Sequence, residues 1–317
     1  MPFLAGFDAR WHDAADYLDA LHRDLGEGRR LDLTPDYIAS GVICHGGLGT
    51  TCGSDAWGAA QAALVAAFPA PSLLPEDAIW TTTSHDALIS AQRLLVSARH
   101  DGAGLYGAPT GAELTVTAMV DRWCVAGKVR EEWLLRDETA ILRRIGLPED
   151  EAARIRLAGW HPRAIPEGTR RYTGTGDDDA WGHTLGELVH RVMGGELAVI
   201  DRHYDAAAEL FYPGGEAQTG PREAESFWIG LRAAFPSAEF RVEHLLGAEE
   251  SLSSPRAMMR WSLTGRHDGH GSFGAPTGAE VTVLGMTHAE FGPDGLRREW
   301  TLIDRPGVLA QILRKTG

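Results

Sequence analysis

The chain has 317 residues, 44% of them apolar and 23% charged, which suits a globular protein of about two domains. A formal net charge of −14 argues against a nucleic-acid partner, which needs a basic patch, and disfavours binding to an anionic membrane surface. Three cysteines, Cys44, Cys52 and Cys124, are not a disulfide framework; with no basic leader segment and no apolar run of ~18 residues, they predict a cytoplasmic protein with free thiols.

In chain order, residues 11–26 carry Leu18, Leu21 and Leu25 at helical spacing, with Gly26 closing the helix. Residues 35–44 read as a second helix, followed by a glycine-bearing loop, HGGLGTTCG. The run AWGAAQAALVAAFP reads as a third helix, stopped by Pro69. The first half closes on a strand with Val129, Glu131, Trp133, Leu135 and Asp137 on one face, then a short helix, ETAILRRIG. Residues 146–180 carry Pro148, Pro162, Pro166 and the run Asp177-Asp178-Asp179, and read as a linker. Its early part, PEDEAARIRLAG, is compatible with a short helix.

The second half follows the same plan. LGELVHRVMGG, residues 202–212 and AESFWIGLRAAFP read as helices, the last stopped by Pro236. The period then falls to two, giving strands at residues 239–246, 257–265 and 280–291. A turn at Pro293-Asp294 leads to a last strand with Leu296, Arg298, Trp300, Leu302 and Asp304 on one face, and RPGVLAQILRK ends the chain as a helix.

The halves are copies. RHDGAGLYGAPTGAE at residues 99–113 recurs as RHDGHGSFGAPTGAE at 266–280, an offset of 167. Without a gap, residues 99–137 and 266–304 are identical at 20 of 39 positions. Upstream the offset still pairs Tyr37 with Tyr204, Phe68 with Phe235 and Arg93 with Arg260. The expected organisation is a first domain at 1–146, a linker at 147–180 and a second domain at 181–317. Helices followed by a run of strands make each copy α+β.

The run RWSLTGRHDGHGSFGAPTGAEVTVLGMTHAEFGPDGLRREWTLIDRPGVLAQIL resembles the SnoaL-like polyketide cyclase family, also called ester cyclase-like, within the NTF2-like superfamily. The second copy fits from about residue 183 to 314, departing at Arg266, where the family often has Thr; the first fits best from 93 to 145. The resemblance implies two tandem cone-shaped domains, each a curved, mostly antiparallel sheet wrapped by N-terminal helices around a pocket. It also implies an intrachain pseudo-dimer, with a homodimer as a further option.

The same resemblance implies cofactor-independent acid/base chemistry of the aldol cyclisation type on a small apolar carbonyl compound. It maps the proton-transfer role onto Asp304 and, by the duplication, onto Asp137. Each ends an apolar stripe that, if it lined the pocket, would raise the carboxyl pKa by burial. Each also precedes a short helix and equally fits an N-cap. His267 and His100 stand either at the pocket edge, exchanging a proton, or in a turn, bonded to backbone. Trp300 and Trp133 would shape the pocket wall. Arg260 and Arg93 would hold a substrate or pair with an acid such as Glu299 or Glu132 across the sheet. His45 and Tyr212 occupy matched positions at the pocket mouth, and His288 faces Asp121 in the alignment, so the two pockets differ. No metal-ligand spacing and no Gly-x-Ser-x-Gly elbow is present, so neither metal nor cofactor is expected. The competing functional reading is a non-catalytic small-molecule binding or scaffold module; isomerisation and hydrolysis on the same fold are further options.

Overall fold

The alternation that follows the third helix of each copy ends in a six-stranded sheet. The computed structural model describes residues 2–159 and 165–316, and they cluster into two units, one on each sheet. In the first, α1 (Ala14–Leu21) starts at Asp13, whose carboxylate accepts from the Asp16 N–H, and runs into a π-helical turn at His22–Glu27. The short α2 (Thr34–Tyr37) leads into the hairpin β1 (Ile38–Gly46) and β2 (Gly49–Cys52). Then come α3 (Ser54–Ala67), β3 (Ser72–Ser84), β4 (Ala87–Arg99), β5 (Glu113–Val125), β6 (Lys128–Arg136) and α4 (Glu138–Ile145), although Asp137 and residues 138–140 cluster with the second unit.

The second unit is built from α5 (Glu149–Ala158), α6 (Ala180–Met193), α7 (Ala198–His203), β7 (Tyr204–Phe211), β8 (Ala217–Thr219) and α8 (Pro221–Ala234). It continues through β9 (Glu239–Ala248), β10 (Arg256–Arg266), β11 (Glu280–Gly292), β12 (Gly295–Ile303) and α9 (Arg305–Thr316). Sheet orders are β2-β1-β6-β5-β4-β3 and β8-β7-β12-β11-β10-β9. Only β1–β6 and β7–β12 pair in parallel, so both sheets are mostly antiparallel, as expected. No described helix is long and apolar enough to cross a membrane.

Three expectations need correction. Residues 35–44 and 202–212 are not helices: β1 and β7 occupy most of both stretches. Alanines at 206–208 favour a helix locally, but the free edges of β6 and β12 need a hydrogen-bonding partner, and that tertiary demand prevails. The glycine loops are accordingly hairpin turns. Second, His45 pairs with Trp133 as Phe211 pairs with Trp300, so the offset on this strand is 211 − 45 = 166. The structural counterpart of His45 is Phe211, not Tyr212. Third, part of the predicted linker is tied into the second unit. There α5 packs along α9, Asp179 caps α6 through the Trp181 N–H, and Asp177 accepts from Gly247 N–H. Pro162 lies outside the described residues.

The last strand carries a further correction. A register shift at Arg297 breaks its alternation, so Leu296 joins the core while Glu299, Thr301 and Ile303 face inward beyond it. Trp300 and Leu302 therefore lie on the opposite sheet face. The predicted stripe does not line one pocket.

The second unit's interior is filled by aromatic side chains. Trp228 and Trp261 are fully buried, with ring centroids 5.7 Å apart. A Cβ on Gly285 would lie 2.1 Å from the Trp261 ring, so only glycine fits beneath it. The first unit has the smaller pair Leu94 and Ala118 at the matching places. Gly285→Ala is therefore expected to destabilise the second unit by about 1–3 kcal/mol. Combined with Trp261→Leu, it should cost clearly less than the two single changes added together. Urea denaturation of the three variants measures both effects.

Candidate functional site

The corresponding interior of the first unit is open. A cavity of about 150 Å³ lies between the inner face of the sheet and the helices α1 and α3. Its walls are apolar, including Leu25, Leu64, Phe68, Leu94, Val116 and Leu134. Small side chains leave the space: Leu94 stands where the second unit has Trp261, and Gln61 where it has Trp228.

One end of the cavity is polar. Arg122 on β5 and Glu132 on β6 are register partners, and Arg122 Nε donates to Glu132 Oε2 at 2.7 Å. Both side chains are at least nine-tenths buried. Trp57 Nε1 on α3 donates to the other carboxylate oxygen at 3.2 Å. Arg122 Nη1 donates to Gln92 Oε1 at 3.2 Å and to His22 Nε2 at 3.3 Å. His22 opens the π-helical turn, a local distortion that often accompanies functional sites. Because its Nε2 accepts from a guanidinium, its Nδ1 carries the ring proton. Burial, reinforced by the Arg122 charge, holds the imidazole down to about 3. The cluster can thus present a cation and a carboxylate to the polar end of an otherwise apolar ligand.

The residues singled out from sequence lie elsewhere. Asp304 caps α9: its Oδ1 accepts from Gly307 N–H at 2.9 Å, and both oxygens accept from Arg156 at 2.8 and 2.9 Å. Asp137 caps α4 through Ala140 N–H and also accepts from Gly214 N–H, both at 2.9 Å. Burial does lift its carboxyl to about 6, against the pull of those backbone donors. Neither aspartate lines the cavity, and the N-cap alternative describes both.

His100 and His267 brace the repeated turn, their Nδ1 atoms 3.1 Å from the hydroxyls of Thr110 and Thr277. Both rings are fully buried against Phe68 and Phe235. Burial lowers the His267 pKa. Arg93 and Arg260 lie on the outer sheet face and pair with Glu76 and Glu243, rather than with Glu132 or Glu299. His288 and Trp300 are register partners on that face, where Trp300 stacks on Phe211. Trp133 stacks on His45 in the same way. Tyr212 does face inward, and its hydroxyl donates to Glu299 at 3.1 Å.

Sequence reasoning missed Arg122, Gln92, Trp57 and His22, and read Glu132 only as a ladder partner. The available signal was a charge on each of two neighbouring apolar strands. Arg122 keeps the alternation of β5, but the inward orientation of Glu132 depends on the register shift at Trp123/Cys124, which periodicity does not reveal. Among the described residues no group of three His, Cys, Asp or Glu side chains is arranged to hold a metal ion.

The fold favours neutral His22. Its stabilising contribution is complete above its ordinary value of 6.5 and is lost as pH falls toward about 3. The expected loss is about 1.4 kcal/mol per pH unit inside that window. Asp137 acts in the opposite sense: its raised pKa favours the fold below 3.8 and that gain disappears as pH rises toward 6. The measurement is therefore a difference. Wild type should lose stability relative to His22→Leu as pH drops from 7 to 4, read from denaturation midpoints at each pH.

Residues 192–312 match the family model described as SnoaL-like polyketide cyclase. Among solved structures, the chain is similar to IdmH from Streptomyces antibioticus at 20% identity, covering 43% of this chain and all of that one, with a TM-score of 0.37. It is also similar to a SnoaL-like polyketide cyclase from Agrobacterium tumefaciens C58 at 19% identity, covering 42% of this chain and 97% of that one, with a TM-score of 0.34. A comparison with curated proteins gave no match. The matched residues 192–312 lie in the second unit, and the first unit repeats its strand order.

Proposed function

We propose that the first unit takes up a small, largely apolar carbonyl compound and carries out acid/base chemistry on it, in the manner of a polyketide cyclase. The observation that supports this most is the buried Arg122–Glu132 pair at the polar end of a largely apolar cavity. Apolar walls favour a ligand by burial, and a buried cation is well suited to a carbonyl oxygen on which negative charge develops. Glu132, beside it, is the group positioned to accept a proton from the carbon next to that carbonyl. Trp57 and His22 hold the pair in place.

This reading moves the proton-transfer role from Asp304 and Asp137 to Glu132. The two aspartates serve helix capping, and Asp304 is neutralised by Arg156. It also assigns the chemistry to the first unit, although the second is the one matched by the family model.

A specific observation favours a second reading, binding without turnover. Both oxygens of Glu132 already accept hydrogen bonds, one from Trp57 and one from Arg122. The two readings separate in one experiment. In D2O, a bound aryl ketone should exchange its α-protons in wild type, followed by proton NMR, and exchange should fall about a hundredfold or more in Glu132→Gln. Ketone binding that quenches Trp57 fluorescence without exchange would establish a binding module. Failure of apolar ketones to perturb Trp57 at all would reject both.

A further inference from the structure

A second polar constellation in the first unit is not used by the cavity. Thr50 on β2 places its Oγ1 2.9 Å from His45 Nδ1, and His45 Nε2 lies 2.7 Å from Glu131 Oε1. Glu131 is almost wholly buried at 1% side-chain exposure, while His45 keeps 13%. The other Glu131 oxygen accepts from Tyr172 N–H at 2.7 Å, and Arg171 stands 3.7 Å from Oε1. An ionised carboxylate can only accept, so Nε2 carries the imidazole proton. Nδ1 is then left to accept from the Thr50 hydroxyl, which is the arrangement that activates a hydroxyl as a nucleophile. Trp133, stacked on the imidazole at 4.9 Å and 11°, fixes the ring plane.

The second unit supplies an internal control. The places of His45, Thr50 and Glu131 are taken there by Phe211, Ala217 and Arg298. Phe211 and Ala217 cannot form the chain, and Arg298 instead donates to Glu209 on β7 at 2.6 Å, yet the hairpin forms and Phe211 stacks on Trp300 as His45 does on Trp133. The fold of the hairpin therefore does not require the chain of hydrogen bonds. Next to Thr50, Gly49 has a φ of +115° and nothing within 4 Å of where a Cβ would sit, which leaves room for an acyl group.

We propose that Thr50 is a nucleophile for acyl transfer from esters of small carboxylic acids, with His45 as its base and Glu131 as the positioning residue. Thr50 Oγ1 forms a bond to the ester carbonyl carbon while its proton passes to His45 Nδ1. The carbon–oxygen bond to the alcohol then breaks, and His45 returns the proton to the departing alkoxide. Water, deprotonated by the same imidazole, releases the carboxylic acid and regenerates the hydroxyl. This site is independent of the cavity chemistry.

The test uses the full chain and p-nitrophenyl acetate. One acetyl group should appear on the peptide carrying Thr50, located by mass spectrometry, and should persist in Thr50→Ser. It should be absent in Thr50→Val and in His45→Phe, a change that copies the stacking residue of the second unit. Glu131→Gln should slow acetylation about a hundredfold. The same variant should redistribute the His45 tautomer away from Nε2–H in nitrogen-15 NMR spectra, a signature that a purely structural role would not move. Acetylation confined to lysines in wild type, or Thr50 labelling that survives His45→Phe, would overturn the proposal.

Discussion

The interior of the first unit depends on one ion pair. Arg122 and Glu132 are register partners on adjacent buried strands, and neither charge could remain there without the other. Their pairing fixes a polar end to a space that is otherwise walled mostly by apolar side chains. Trp57 reaches in from α3 and His22 from the helix-to-π junction, so the two helices that cover the sheet are also bonded to this ion pair. The neutral state of His22 follows from this arrangement: burial disfavours the charged imidazole, and a second cation beside Arg122 would also be repelled.

The second unit solves the same problem without a cation. Its Glu299, the counterpart of Glu132, accepts from the hydroxyls of Tyr204, Tyr212 and Thr301 at 2.6, 3.1 and 2.7 Å. Ala289 stands where the first unit has Arg122. Burial raises the Glu299 pKa, and those three hydroxyl donors oppose the shift. A chain of hydrogen bonds continues from Thr301 through Thr287 to the Trp261 indole, which itself fills the interior above Gly285. One unit thus keeps an open, charged interior, and the other a packed interior with a carboxyl held by neutral groups. A duplicated fold can diverge in this way because topology is set by sheet edges and turns, while the inner face accepts either filling.

Both faces of each sheet carry buried polar residues, and their separation explains where the candidate residues went. Arg260, His288 and Trp300 share the outer face of β10–β12, opposite the core built from Met259, Trp261 and Leu263. The repeated stretch around Gly-Ala-Pro-Thr-Gly is a structural brace: its threonine hydroxyl holds the buried histidine ring in each copy. The identity of that stretch reflects a geometric need of the fold. The divergence lies at Arg122 against Ala289, Leu94 against Trp261 and Thr50 against Ala217.

The amino-acid sequence by itself determined the duplication, the α+β class, the strands from 239 onward, the third helix of each copy and the turn that joins them. These rest on local periodicity, proline stops and repeated residues, all of which are short-range. It also carried the N-cap alternative for Asp137 and Asp304, since a cap is a local interaction. Only the tertiary structure decided that β1 and β7 are strands, because the edges of β6 and β12 demanded partners that no local propensity reports. Only the structure decided which face of β6 and β12 turns inward, because a one-residue bulge exchanges the faces of every residue beyond it. That single shift puts Glu132 in place of Trp133 at the cavity, and no periodicity in the chain records it.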